Sequence, residues 1–287
     1  MRRVPVVATI RDAYAFAFTQ LGGVIGLIWV SMVMITIAQY FTFRRLYNDY
    51  IDFLASNADP AQMGPTLLML LAYVVAALLL YAVMCVAVVQ LALGARSAPA
   101  FVHFAFGPLE WRMFRAFLAF VGLLLGFCLF VEVIVDAVAT QVPAAAQEPG
   151  KAVMALAACV IGVILSVRLL LLLPAIAVNE TGPAIRRAWA LSAGNFFPLL
   201  GVLIGLFLPL VLAFVLIDLG MEGKPAISPG TNQQMQMVAA LMQARKSLPW
   251  SCGLSFFFSP LLIGLFAGAS VSVWRALKDE PVLDIAV

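Results

Sequence analysis

Among the charged side chains in the long apolar runs of this 287-residue chain, Glu132, Asp136 and Arg168 most invite a functional reading. A charge in hydrocarbon is expensive, so such residues mark ion or substrate paths, lipid contacts, or local capping near an interface. Glu132 and Asp136 are four apart, on one face of a helix. At 1.5 Å per residue, Glu132 lies roughly 27 Å from the helix start near Phe114. Arg168 lies roughly 22 Å down its own run from Val153. The two runs are antiparallel, so these charges are not level, and a direct salt bridge would need substantial tilt. The ordinary reading is that all three snorkel or cap locally. A second reading gathers Arg168 with Gln20, Gln90, Glu180 and Asn195, all near the same ends of their runs, as a cluster that holds helices together or meets a lipid phosphate. Arg186 and Arg187, just beyond, extend the lipid-headgroup reading.

Catalytic chemistry finds little to work with. His103 is the only histidine, and it stands alone between Val102 and Phe104. No H-E-x-x-H, G-x-S-x-G, phosphate-binding loop or metal-ligand cluster occurs. The four cysteines, Cys85, Cys128, Cys159 and Cys252, sit in or beside apolar runs without C-x-x-C spacing, as small packing residues do. Neither a cofactor nor an enzyme activity is expected. The net charge of +3 gives no case for nucleic acid.

The elements that must position these residues are membrane helices. Hydrophobic residues make up 64% of the chain and charged residues 11%, less than half of what a soluble domain carries. Mean hydropathy is +1.06. Six apolar runs are long enough to span a bilayer: about 19–40, 66–93, 114–138, 152–178, 196–219 and 252–277. The expected fold is therefore all-α, a single polytopic membrane bundle of six transmembrane helices with amphipathic interfacial helices. Those surface helices are expected at Val6–Phe18, Phe43–Ser56, Pro183–Ala193 and about Thr231–Lys246. A cleaved signal peptide is not expected, because Asp12 interrupts the first apolar stretch. Residues 94–112 read as a loop with at most one short interfacial helix.

Basic residues set the orientation. Arg2, Arg3, Arg11, Arg96, Arg112, Arg115, Arg186, Arg187, Arg275 and Lys278 fall on one side. Arg44, Arg45, Lys151, Lys224, Arg245 and Lys246 fall on the other. The richer side is cytoplasmic by this rule, so both termini are expected in the cytoplasm. Gly22/Gly26, Gly122/Gly126, Gly201/Gly205 and Gly264/Gly268 each give a G-x-x-x-G spacing, which lets a second backbone approach closely. Packing within the chain is the favoured use, with dimerisation the alternative. Pro174, Pro209 and Pro260 can kink three of the runs. A shift of 175 residues aligns Arg11-Asp-Ala-Tyr with Arg186-Arg-Ala-Trp, and Gln20 and Gly26 with Asn195 and Gly201. This is a weak internal repeat.

The stretch 160–206 carries a resemblance through Arg168, Pro174, Ala175, Glu180, Gly182, Ala188, Trp189, Leu191, Ser192, Gly194, Asn195 and Phe196. It resembles the membrane-domain family attached to some glycerophosphoryl diester phosphodiesterases, and related bacterial six-helix membrane proteins. The phosphodiesterase activity in that family's name belongs to a separate soluble barrel. The resemblance therefore implies a membrane domain rather than an enzyme. The functional expectation is a non-enzymatic bacterial inner-membrane protein that organises or senses lipid, or assists another membrane protein. The alternative is a small-molecule transporter or permease subunit, for which the prolines and Arg168 are the hints. Oligomeric state is not legible.

Overall fold

The computed structural model describes residues 4–56, 63–95, 106–139, 156–157, 160–165, 167–168, 170–177, 184–221 and 233–278. Every element among them is helical. In chain order these are α1 (Val6–Thr19), α2 (Leu21–Ser56), α3 (Gly64–Ala92), α4 (Pro108–Ala139), α5 (Leu172–Ala177), α6 (Ala184–Ser192), α7 (Phe196–Met221) and α8 (Gln233–Lys278). Five are long and apolar enough to cross a membrane: Leu21–Ala55, Gly64–Ala92, Pro108–Phe130, Phe196–Ile217 and Gln234–Lys278. In the region of the expected fourth span, residues 160–165 and 167–168 are helical, Leu170–Leu171 form a turn, and α5 follows. The interruption has a local cause. Pro174 has no N–H for the carbonyl four residues back, and its ring crowds that carbonyl.

Hydrogen bonds sort the helix ends into two sets. At one end, the Val4 amide donates to Asn195 Oδ1 at 3.3 Å, and Arg275 Nη2 donates to Ala92 O and Leu93 O at 3.3 and 3.4 Å. At the other, Arg245 Nη1 donates to Asn48 Oδ1 at 2.8 Å, and Thr66 Oγ1 donates to Asp49. The start of α1, the end of α3, the α6–α7 junction and the end of α8 thus share one end. The basic-rich regions around Arg11, Arg186 and Arg275 belong to that set.

Four expectations change. Residues 43–56 do not form a separate surface helix but continue α2, because nothing between Tyr40 and Arg44 breaks a helix. Residues 233–246 likewise continue into α8, a single helix of 46 residues that passes through Pro249 and Pro260. Each proline removes one backbone bond, and neighbouring helices hold α8 together across the gaps. The loop expected over 94–112 ends early, at Gly107. There Glu110 Oε2 accepts the Gly107 amide at 2.9 Å, the reciprocal half of a capping box, with Pro108 in the first turn.

The fourth change is α1. Instead of lying across a headgroup layer, it wedges between α7 and α8 with Thr9, Ala13, Phe16 and Ala17 buried. Two glycine pairs make the room. A Cβ at Gly264 would meet Ala17 Cα at 3.6 Å, and one at Gly268 would meet Ala13 Cα at 3.2 Å. On the other flank, Val6 and Ile10 lie over Gly201 and Gly205. Tyr14 then donates to Leu206 O at 3.1 Å, three residues before Pro209 within α7. By contrast, among the described residues nothing lies within 4 Å of a Cβ at Gly22, Gly26, Gly122 or Gly126. Half of the glycine spacings therefore seat one helix within the chain.

Candidate functional site: an arginine held between two rings

The site is built on the junction between α6 and α7. Gly194 ends α6 with φ 79°, a conformation that costs glycine little. The Asn195 amide reaches Ser192 O at 3.2 Å, and Asn195 O then accepts the Leu199 amide at 3.0 Å, the first bond of α7. Asn195 is buried, and its side chain accepts from Val4. The junction is therefore tied from both directions, and it fixes Trp189, Ser192 and Phe196 relative to one another.

Arg168 reaches into this corner. Its guanidinium carbon lies 5.1 Å from the Trp189 ring centre and 6.0 Å from that of Phe196. Arg168 Nη1 donates to Ser192 Oγ at 3.3 Å, and Ser192 Oγ donates in turn to Trp189 O at 2.9 Å. The hydroxyl is thus spent as both acceptor and donor, and no base activates it. A guanidinium over an indole face gains about 0.5–2 kcal/mol depending on its desolvation. Stacking also leaves the in-plane N–H groups as the remaining donors. Among them, Arg168 Nε is enclosed and has no hydrogen-bond partner among the described residues. An enclosed, charged donor without an acceptor is costly by more than 1 kcal/mol. The arrangement presents a positive charge and a donor that can hold an anion.

Around this corner, α5 is buried throughout and touches α3, α4, α6 and α8. Arg186 and Arg187 are exposed on α6. A matching junction occurs between α1 and α2. There Gln20 O accepts the Val24 amide at 2.8 Å, as Asn195 O accepts Leu199. Ala13 and Ala188 are both fully buried. The 175-residue shift superposes these features without adjustment.

The expected cluster divides. Arg168 meets Ser192, Trp189 and Phe196; Asn195 serves Val4 and the α7 N-terminus. Gln20 lies at the α1–α2 break. The Gln90 carbonyl accepts the Ala95 amide at 3.0 Å while Gly94, at φ 74°, bonds back to Leu91 O, which closes the end of α3. Arg275 takes the two carbonyls left over. Glu132 and Asp136 fall on α4, and their side chains lie outside the described residues, as do Glu180, His103 and Cys159. Ser192 was missed as the arginine's partner. Its position three residues after Trp189, on the same face of α6, is the signal that could have found it. Tyr14 was also missed as a link to α7. No family model, curated protein or solved structure matches the chain.

Proposed function

We propose that the chain is a six-span protein of the bacterial inner membrane, both termini cytoplasmic, that binds anionic lipid at the Arg168 corner and has no enzymatic activity of its own. On this reading it organises or senses lipid, or presents it to another membrane protein, in keeping with the resemblance to the phosphodiesterase-associated membrane domains. The observation that carries it is Arg168 Nε, a charged donor without a protein acceptor beside two aromatic rings. Arg186 and Arg187 on the neighbouring helix add exposed positive charge at the same end. Lipid phosphate is the anion a membrane face supplies, and basic pockets between helices on the cytoplasmic side suit it.

The test is to purify the full chain in mild detergent and identify what is retained by native mass spectrometry. Wild type should hold anionic lipid. Replacing Arg168, Arg186 and Arg187 together by Gln should release it. Unchanged retention by the triple variant would sink the proposal, and a stoichiometric protein partner with no lipid would turn the reading toward an accessory subunit.

A further inference from the structure

We infer that the same corner prefers a lipid whose headgroup bears two phosphodiester groups on one short bridge over a lipid bearing one. The inference rests on the anion-binding reading above and goes beyond it by naming the headgroup class. Its basis is that positive charge flanks the indole on two sides and at two depths. Arg168 is half-buried and stacks on the Trp189 ring at 5.1 Å. Arg186 precedes Trp189 by three residues, so the two share a side of α6 with Cβ atoms about 5–6 Å apart. Arg186 is exposed. Arg187 is turned to the opposite flank, two residues and about 200° from Trp189.

One phosphate cannot satisfy both positions. Bound to Arg168 Nε it sits against the rings, and bound to Arg186 it sits in the aqueous layer. Nor can Arg168 swing out to follow a surface phosphate, because Ser192 holds one nitrogen while Trp189 and Phe196 cover the guanidinium. A fixed inner cation stacked on Trp189 and an exposed one a helical turn before it match two anions joined by a short linker. The planar fork of Arg168 matters as well, since Nε and an adjacent Nη can meet one phosphate in a bidentate way that a lysine cannot copy.

The experiment offers the full-length protein equimolar cardiolipin and phosphatidylglycerol in mild detergent and reads bound lipid by native mass spectrometry, with a thermal-shift measurement in parallel. Wild type should retain cardiolipin several-fold over phosphatidylglycerol. R186Q should bring the ratio to about one while still retaining both. R168K keeps the charge should R168Q fail to fold, and it should lose the preference while keeping some lipid. Equal retention of the two lipids by wild type would overturn this inference and leave the anion-binding reading standing. Retention of neither would overturn both. Displacement of cardiolipin by millimolar inorganic pyrophosphate would also overturn it, because the site would then serve a soluble bis-phosphate rather than a lipid.

Discussion

Gly268→Ala should destabilise the protein, while Gly126→Ala should not. Both glycines belong to a G-x-x-x-G spacing in an apolar helix, and sequence alone gives no reason to separate them. The structure does. A methyl at Gly268 would lie 3.2 Å from Ala13 Cα and 3.1 Å from Phe16 Cδ1, and the first of these is backbone that cannot rotate away. Overpacking of this kind costs about 1–3 kcal/mol. Against it stands the gain from replacing a helical glycine, about 0.5–1 kcal/mol. The net expectation is a loss of up to about 2.5 kcal/mol at Gly268, with about 1 kcal/mol near the middle of the difference of those two ranges. At Gly126 nothing lies within 4 Å, so only the helical gain remains. For a chain of this size each kcal/mol moves Tm by about 2–4 °C. The assay is the fraction remaining monodisperse after heating in mild detergent, followed by fluorescence-detected gel filtration. G268A should melt several degrees lower, and G126A should melt level with wild type or slightly higher. Equal melting of the two variants would refute the wedged position of α1. If G126A alone were destabilised, then the exposed glycine face of α4 would be covered in the folded protein.

Two further outcomes follow from the same contacts. Tyr14→Phe removes the hydroxyl that reaches Leu206 O, and interhelical hydrogen bonds in membranes average about 0.6 kcal/mol; a small fall in Tm is expected, and it should vanish when Gly268→Ala has already displaced α1. The α2–α8 pair should also emerge from the bilayer. Its 46-residue member spans roughly 69 Å against a hydrocarbon core of about 30 Å. Single cysteines at Asn48 and Gln234, in a background with the native cysteines replaced, should react with a membrane-impermeant thiol reagent added to one face and not the other. If both positions were shielded from either face, α2 and α8 would not project as they do here.

Apolar length was legible because it needs no partner to be read: the bilayer sets the required run, and five such helices are present. The α6 turn was legible for a similar reason. Gly194-Asn195 is a local stop and cap, and its chemistry lies within five residues. What stayed hidden depended on a second helix. The pattern in Val6–Phe18 is that of an amphipathic helix, and a periodicity of that kind says one side is buried without saying against what. Interfacial lipid and two glycine-lined helices make the same demand on its sequence. The deciding residues, Gly201, Gly205, Gly264 and Gly268, lie about 190 to 260 positions away.

Arg168 shows the same limit at the level of one side chain. Its depth along an apolar run announced a charge in need of company, and Gln20, Gln90, Glu180 and Asn195 were reasonable company by depth alone. Depth fixes one coordinate of three. The other two came from the hinge at Gly194, which turns α6 so that Trp189 and Ser192 face the arginine, and from α7, whose first residue brings Phe196 to the same corner. Asn195 lies at the right depth but is committed to Val4 and to the start of α7. A polar residue beside an intramembrane charge is therefore not its partner until the backbone's own donors and acceptors have been satisfied. In this chain Asn195 Oδ1 accepts from the Val4 amide, while Arg168 meets Ser192 and the two rings.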